Sequence, residues 1–447
     1  MQGSRCGWPA PAAFLLISVS SIGRNEQEFH MEKNMAAISA QNDSLLDLPV
    51  HATSSAASPL RSWLSVVAVA IGAFAFVTTE FLPVGLLPQI ARDLGVSPGT
   101  AGLMVTTPGV IAAISAPALM LGAGRINRRL ILLMLSVLLL ASNLISAMAP
   151  GFGTMLLGRA LLGAALGGFW TLALATSARL VKEEHAAKAT AMILTGVTFA
   201  TVIGVPLGTF ISTLASWRAS FIATGVLAAV ALAAQALLLP SLPSKAAIRF
   251  SDLGALLGRA TIRKSLLMVA LVFGAHFSAY TYVTPFLVQS AGFSLPAITS
   301  VLLGFGFVGF VSNFGISTTV SRNLQLSLFS MVAILMVALL ALPLLHASQA
   351  GVVTMVLAWG VAFGAIPLCA SIWLQLSSPD LPEAGSALFV SIVQVAIAVG
   401  SSTGGVVVDS LGIPATLWLG GALALASLAV IASFGFNNKN LAETLSQ

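Results

Sequence analysis

Three side chains in this sequence carry charge or a titratable proton inside otherwise apolar stretches: Glu80, Arg159 and His276. Glu80 stands in Val77-Thr78-Thr79-Glu80-Phe81-Leu82-Pro83. A carboxyl group withdrawn from water favours its neutral form, which is the behaviour a proton-coupling site requires. The plainer alternative is a solvated residue near an outer mouth, capping a bend before Pro83. Arg159 opens a small-residue segment, Gly158-Arg159-Ala160-Leu161-Leu162-Gly163-Ala164-Ala165-Leu166-Gly167-Gly168-Phe169-Trp170. Its guanidinium stays protonated and therefore needs a carboxylate or carbonyl oxygens; otherwise it would snorkel to a polar boundary. At 100° per residue Trp170 returns to within about 20° of Arg159, so the two share a helix face. His276 precedes Tyr280 by four residues, so imidazole and phenol also share a face and could bond a polar ligand or relay a proton. Trp359, Trp373, Gln394 and Asn313 add aromatic or polar surface in other apolar runs, and Asp409 sits at the end of one, within reach of water.

The elements that hold these residues follow from composition. Of 447 residues 57% are hydrophobic and 8% charged, too few charges to cover a soluble surface of that size. This excludes a soluble enzyme, a disordered chain and a nucleic-acid binder; the net charge of +6 comes from basic residues scattered between apolar runs. A membrane-spanning helix needs about 20 mostly apolar residues. Twelve runs qualify: 62–88, 99–122, 130–149, 153–178, 186–212, 219–239, 264–289, 297–320, 325–345, 350–375, 383–408 and 413–435. With both termini cytoplasmic, 14 of the 20 Lys and Arg fall in cytoplasmic segments and only Arg92 and Arg218 face outward, as the positive-inside rule demands. Cys6 and Cys369 are far apart, and no disulfide, metal site, catalytic set or cofactor site is expected.

The expected organisation is an all-α integral membrane protein of twelve helices in two pseudo-symmetric six-helix bundles, 61–239 and 264–436. A cytoplasmic linker, 240–263, holds Pro240 and Pro243, and a C-terminal tail covers 437–447. The tail 1–60 is rich in Ser, Ala, Asn and Gln. Its short apolar run Ala12–Val19 resembles a weak signal peptide, but cleavage there would oppose the charge pattern; disorder, or a true start at Met31 or Met35, fits better. A shift of 196 aligns Gly204 with Gly400, Gly208 with Gly404 and Ala191 with Ala387, an echo between the halves. Parallel repeats of this kind build one large transporter class, with the substrate near the midplane. Two motifs are rejected. Gly304–Gly309 matches a dinucleotide fingerprint and Gly400–Gly404 a hydrolase elbow, but both lie inside apolar helices. They read as small residues for close helix packing, as do Gly163 and Gly167.

At these residues the chain resembles the major facilitator superfamily, in its drug/proton antiporter branch. The likeness covers about 60–436 and rests on Glu80–Val84, on Gly158–Trp170, and on Gly196, Gly204, Pro206 and Gly208 with Trp217, Arg218 and Phe221. Arg125, Arg128 and Arg129 match the family's basic loop after the second helix, while Gly124 and Asn127 depart from it. The first and fourth helices are similar to those of bacterial purine ribonucleoside efflux pumps and putative sugar-efflux permeases. The resemblance implies a monomeric, proton-coupled exporter of purine nucleosides in the bacterial inner membrane. Glu80 and Arg159 would couple protons. Trp170, His276, Tyr280 and Gln394 would bind substrate. Arg125, Arg128, Arg129, Gly163, Gly167, Gly204, Pro206 and Gly208 would serve conformational change. Sugar or drug efflux, or proton-coupled import, are the alternatives; a channel, membrane enzyme or sensor fits less well, since the spans lack a second catalytic partner and the chain an output domain.

Overall fold

A backbone in lipid must satisfy its hydrogen bonds internally, so long apolar runs become helices. The computed structural model describes residues 59–122, 126–242, 250–320 and 323–434. Residues 1–58 of the expected N-terminal tail, Arg125, Pro243 and the C-terminal tail lie outside the described residues.

Among the described residues, twelve helices are long and apolar enough to cross a membrane. They are α1 (Pro59–Asp93), α2 (Leu103–Gly122, preceded by a turn Pro98–Ala101), α3 (Arg128–Ala147) and α4 (Phe152–Leu180). α5 runs from Ala186–Phe199 through a wide turn, Ala200–Gly204, into Val205–Leu214, and α6 is Trp217–Leu238. The second set is α7 (Ala260–Tyr280), α8 (Leu295–Val320), α9 (Leu324–Ala341), α10 (Gln349–Ser377), α11 (Pro382–Leu411) and α12 (Ile413–Ala432). Side-chain oxygens cap four of them and the turn before α2: Asn127, Ser216, Asn323 and Ser348, and Ser97 for the turn, each accept from a backbone N–H two or three residues ahead. α11 and α12 are separated by Gly412 alone, at φ +90°, a conformation that only glycine adopts without strain.

Packing repeats with a step of six. α1 packs on α5 and α6, and α7 on α11 and α12. α4 lies against α2 and α3, and α10 against α8 and α9; α3–α6 is matched by α9–α12. Across the halves, α2 meets α11 and α5 meets α8.

Two spans differ from the sequence expectation. α1 extends to Asp93, with Pro83 and Pro88 inside it; a proline deletes one intrahelical bond, and a neighbouring donor can replace it. The expected run 264–289 is broken: α7 ends at Tyr280, and a short turn Val283–Pro285 leads into a wide turn Phe286–Ser290. Pro285 has no N–H to offer the Thr281 carbonyl. Within the expected linker, Phe250–Gly258 is helical and Leu256 packs with Ile262, Leu266, Leu374 and Ala384.

Candidate functional site

The site is organised by two prolines and one arginine. Pro83 cannot donate to the carbonyl four residues back, Thr79, and Pro108 cannot donate to Met104. Arg159 on α4 donates to both: Nη1 to Thr79 O at 2.7 Å and Nε to Met104 O at 2.7 Å. Its Nη2 donates to Glu80 O at 2.6 Å. One guanidinium thus joins α1, α2 and α4, with no exposed surface. The snorkelling alternative is overturned. Of the two kinds of partner expected for it, carboxylate or carbonyl, the guanidinium takes carbonyls: among the described residues no ion pair within 4.0 Å joins it to Glu80. The fixed fork of an arginine suits three carbonyls in a way an ammonium would not.

Glu80 is buried, 4% exposed, so the reading as a solvated outer-mouth residue also fails. Its carboxylate oxygen Oε1 accepts from Gln394 Nε2 of α11 at 3.4 Å. This bond crosses from one half to the other. The Gln394 oxygen Oε1 and the Thr78 hydroxyl are buried without a hydrogen-bond partner among the described residues. The next turns of the same seam carry Thr106 and Ser401, whose hydroxyls are 2.7 Å apart, and Tyr282, which donates to Ser401 O at 2.8 Å. At the end of the bundle Asp409 accepts from Ser97 Oγ at 2.6 Å and from Gly99 N at 2.9 Å. Thr299 of α8 donates to Thr209 of α5 at 3.0 Å.

His276 and Tyr280 lie together in a ring cluster. The Trp359 indole N–H donates to His276 Nδ1 at 3.0 Å. Indole is only a donor, so Nδ1 must be the unprotonated nitrogen and a neutral ring carries its proton on Nε2. His276 stacks on Tyr280 (centroids 4.8 Å) and on Phe363, and Tyr280 stacks on Phe305 at 5.2 Å. The Tyr280 hydroxyl makes no hydrogen bond among the described residues. Phe277 stacks on Phe81, the neighbour of Glu80, with centroids 5.5 Å apart, so the ring cluster and the acid approach one another across the halves. The structure does not bring Trp170 into this cluster. It is half-buried among the apolar residues of α1, α3 and α4, edge-on to Phe169. Trp373 is buried elsewhere, bonded to Ser265 Oγ at 3.1 Å, and Asn313 bonds Gly364 O at 3.0 Å.

The glycines form seams. A Cβ at Gly163 would stand 2.6 Å from Pro108 O, and one at Gly167 2.6 Å from Ala112 O, so α2 and α4 meet backbone to backbone. Gly204 and Gly208 of α5 face Thr78 and Leu82 of α1. Pro206 follows the wide turn 200–204, where the loosened ladder accommodates the missing N–H. Gly306 and Gly309 lie against α5 and α10, and Gly400 and Gly404 against α7. Beyond the membrane runs, Arg129 donates to Ala236 O at 2.7 Å, and Asn127 bonds Ser241 and Leu242. The start of α3, with Arg128 and Arg129, is therefore docked on the end of α6 and the residues after it; Arg128 N bonds Leu242 O at 2.9 Å.

A family profile, that of the Major Facilitator Superfamily, matches residues 69–400. The chain belongs to the major facilitator superfamily. Among its curated relatives is a protein of Pseudomonas aeruginosa named transcription regulatory protein OpdE, 36% identical over 83% of this chain and 92% of the relative. The purine ribonucleoside efflux pump NepI of Salmonella paratyphi B is 35% identical over 83% of this chain and 94% of its own length. The Salmonella typhimurium pump of the same name is 33% identical over the same shares. Among solved structures, the chain resembles a D-xylose-proton symporter with a TM-score of 0.66, at 17% identity over 85% of this chain and 98% of that one. The protein is thus a multi-pass membrane transporter of small molecules, built on the expected twelve-helix fold.

The sequence placed Glu80 and Arg159 inside apolar spans, where both are buried, but did not show what Arg159 holds. Counting four back from Pro83 and Pro108 would have found both carbonyls. It also missed Phe305 and Phe363, whose apolar runs look like any lipid-facing span. Nothing in their spacing marks them, because the cluster gathers α7, α8 and α10.

Proposed function

We propose that this transporter exports purine nucleosides in exchange for protons across a bacterial cytoplasmic membrane, as a monomer with both termini in the cytoplasm. The observation that carries the reading is the buried carboxyl of Glu80, placed between the two halves and beside the aromatic cluster of His276, Tyr280, Phe305 and Trp359. A purine is a flat π system, and stacked rings with one free phenol suit it: the base lies against Tyr280 or Phe305, and the Tyr280 hydroxyl bonds a heteroatom or ribose hydroxyl. Gln394 supplies a bare amide oxygen for a donor of the ligand. The names of the Salmonella relatives agree with this substrate class. Trp170 would act from the first half, outside the ring cluster.

The bundle would work by alternate opening of its two ends around this centre. Proton and substrate each shift that equilibrium only by binding its states unequally. Arg159 is here a positioning residue: it fixes the α1 backbone at Thr79 and Glu80, so the carboxyl presents the same face to α11 in each cycle.

The test is proton release from everted vesicles carrying the protein, read with a pH-sensitive dye on adding inosine, guanosine, a pentose or a cationic drug. A response to inosine or guanosine that disappears in Glu80→Gln is the expected result. A response to pentoses or drugs alone would overturn the nucleoside assignment, and an undiminished proton response in Glu80→Gln would overturn the role of the acid.

A further inference from the structure

We propose that Gln394 is the residue that reads the protonation of Glu80 for the second half of the molecule, through a two-bond acid–amide pair that forms when the carboxyl is neutral and reduces to one bond when it is ionised. The inference rests on the proton-coupled reading above and deepens it.

The geometry is specific. Glu80 is on α1 and Gln394 on α11, in opposite halves, and the amide Nε2 donates to Glu80 Oε1 at 3.4 Å. The other end of the same amide, Oε1, is buried with no donor among the described residues. An ionised carboxylate only accepts, so it can use the amide N–H and must leave the amide oxygen bare. A neutral carboxyl both donates and accepts. Its O–H can bond Gln394 Oε1 while its carbonyl keeps the Nε2–H bond, closing a ring that satisfies all four atoms. The proton stays on Glu80; no charge passes to the amide. The adjustment needed is a small rotation about the terminal side-chain torsions, which are soft in Glu and Gln.

Gln394 is also placed to transmit the change. A Cβ on Gly109 of α2 would stand 2.9 Å from the Gln394 carbonyl oxygen, so α2 and α11 are in backbone contact at this level. Further along the seam Thr106 meets Ser401 at 2.7 Å, and at its end Asp409 holds Ser97 and Gly99. Proton uptake by Glu80 would therefore hold this end closed, and proton release would let the seam part. Other charged or titratable groups near these elements are Arg159 on α4, whose Nε, Nη1 and Nη2 each donate to a carbonyl, His276 and Tyr280 on α7, Tyr282 on the seam, Asp93 paired with Arg218 at the end of α1, and Asp409 at the far end of α11. The test must separate Glu80 from each.

A substrate-free measurement does so. Spin labels at Leu214→Cys and Leu411→Cys, exposed positions at the ends of α5 and α11, report the separation of the halves in a chain also carrying Cys6→Ser and Cys369→Ala. Between about pH 5 and about pH 8.5, a window that spans carboxyl and imidazole titration, the short-distance population should rise as pH falls. Glu80→Gln, a permanent neutral partner, should hold the short distance at every pH. Gln394→Leu should abolish the pH response, with Gln394→Met as the second variant if leucine disturbs folding, and Gln394→Glu should restore a pH response. A response undiminished in Gln394→Leu or Gln394→Met, a response surviving Glu80→Gln, or none in the parent chain would overturn the proposal. Because no substrate is present, failure of inosine transport leaves this result standing, and the two readings fail separately.

Discussion

Arg159 sets how much chemistry one residue can organise in this bundle. A buried charge in a span is costly unless every donor is engaged, and here the engagement is with carbonyls that Pro83 and Pro108 leave without helical partners. Arg159→Met should therefore do more than remove a charge. It strands buried acceptors at about 1–3 kcal/mol each, and it should lower the melting temperature of the purified protein. If the prolines are the reason, returning an N–H should compensate: Pro83→Ala should destabilise less, or even stabilise, in the Arg159→Met background than in the parent. Thermal unfolding of the four chains in that cycle measures the coupling, and strict additivity would separate Arg159 from Pro83. Arg159→Lys should rescue little, since a point charge cannot replace the fork. This residue also marks what the sequence made legible. Burial of Glu80 and Arg159 could be read from their apolar neighbours, whereas the choice of carbonyls over carboxylate depends on where three helices cross.

The helices add constraints that single residues cannot show. The seam between α2 and α4 requires Gly163, where a Cβ would meet Pro108 O at 2.6 Å and Pro108 Cα at 2.9 Å. Gly153, one helix with it, has open space around it. Gly163→Leu should cost about 1–3 kcal/mol by overpacking and reduce transport. Gly153→Leu should leave both near the parent values, a comparison that thermal melting and vesicle uptake can make side by side. Outside the membrane runs, the start of α7 is tied to the turn before α11 by a fork: Arg259 Nη1 and Nη2 donate to Asp380 Oδ1 and Oδ2 at 2.8 and 2.6 Å. The guanidinium lowers the Asp380 carboxyl from 3.8 to about 2. A lowered acid contributes stability above its unfolded value and loses it as pH falls toward the folded one, so this fork should hold down to about pH 2. Arg259→Ala should return the Asp380 titration to the ordinary carboxylate range, read by NMR of labelled aspartate; an unmoved titration would remove the fork as its cause. The apolar periods predicted these helices well. They did not predict the break at Thr281 and Tyr282, because the residues around it are as apolar as those of a continuous span and only Pro285 hints at it.

At the scale of the whole molecule, the step-of-six packing explains why weak spacing echoes such as Gly204 with Gly400 survive. Each marks a close approach to the first helix of its own half, Gly204 on Thr78 and Gly400 on Gly274. The halves touch through α2–α11 and α5–α8, and contact between them continues where the α1–α2 turn meets the second half: Ser97 and Gly99 on Asp409 at the end of α11, and Tyr282 on the Gly99 carbonyl. Transport by alternate opening requires this end to part in every cycle. Holding it shut should then stop turnover without harming the fold. Ser97→Cys with Asp409→Cys, in a chain carrying Cys6→Ser and Cys369→Ala, brings together two side chains whose native atoms are 2.6 Å apart. A short cleavable thiol linker between them should abolish inosine-driven proton release in everted vesicles, and reductant should restore it. Each single cysteine treated alike should remain active. Full activity in protein shown by gel mobility to be linked would mean that this end stays closed throughout, and that the route across the membrane must open elsewhere between the halves.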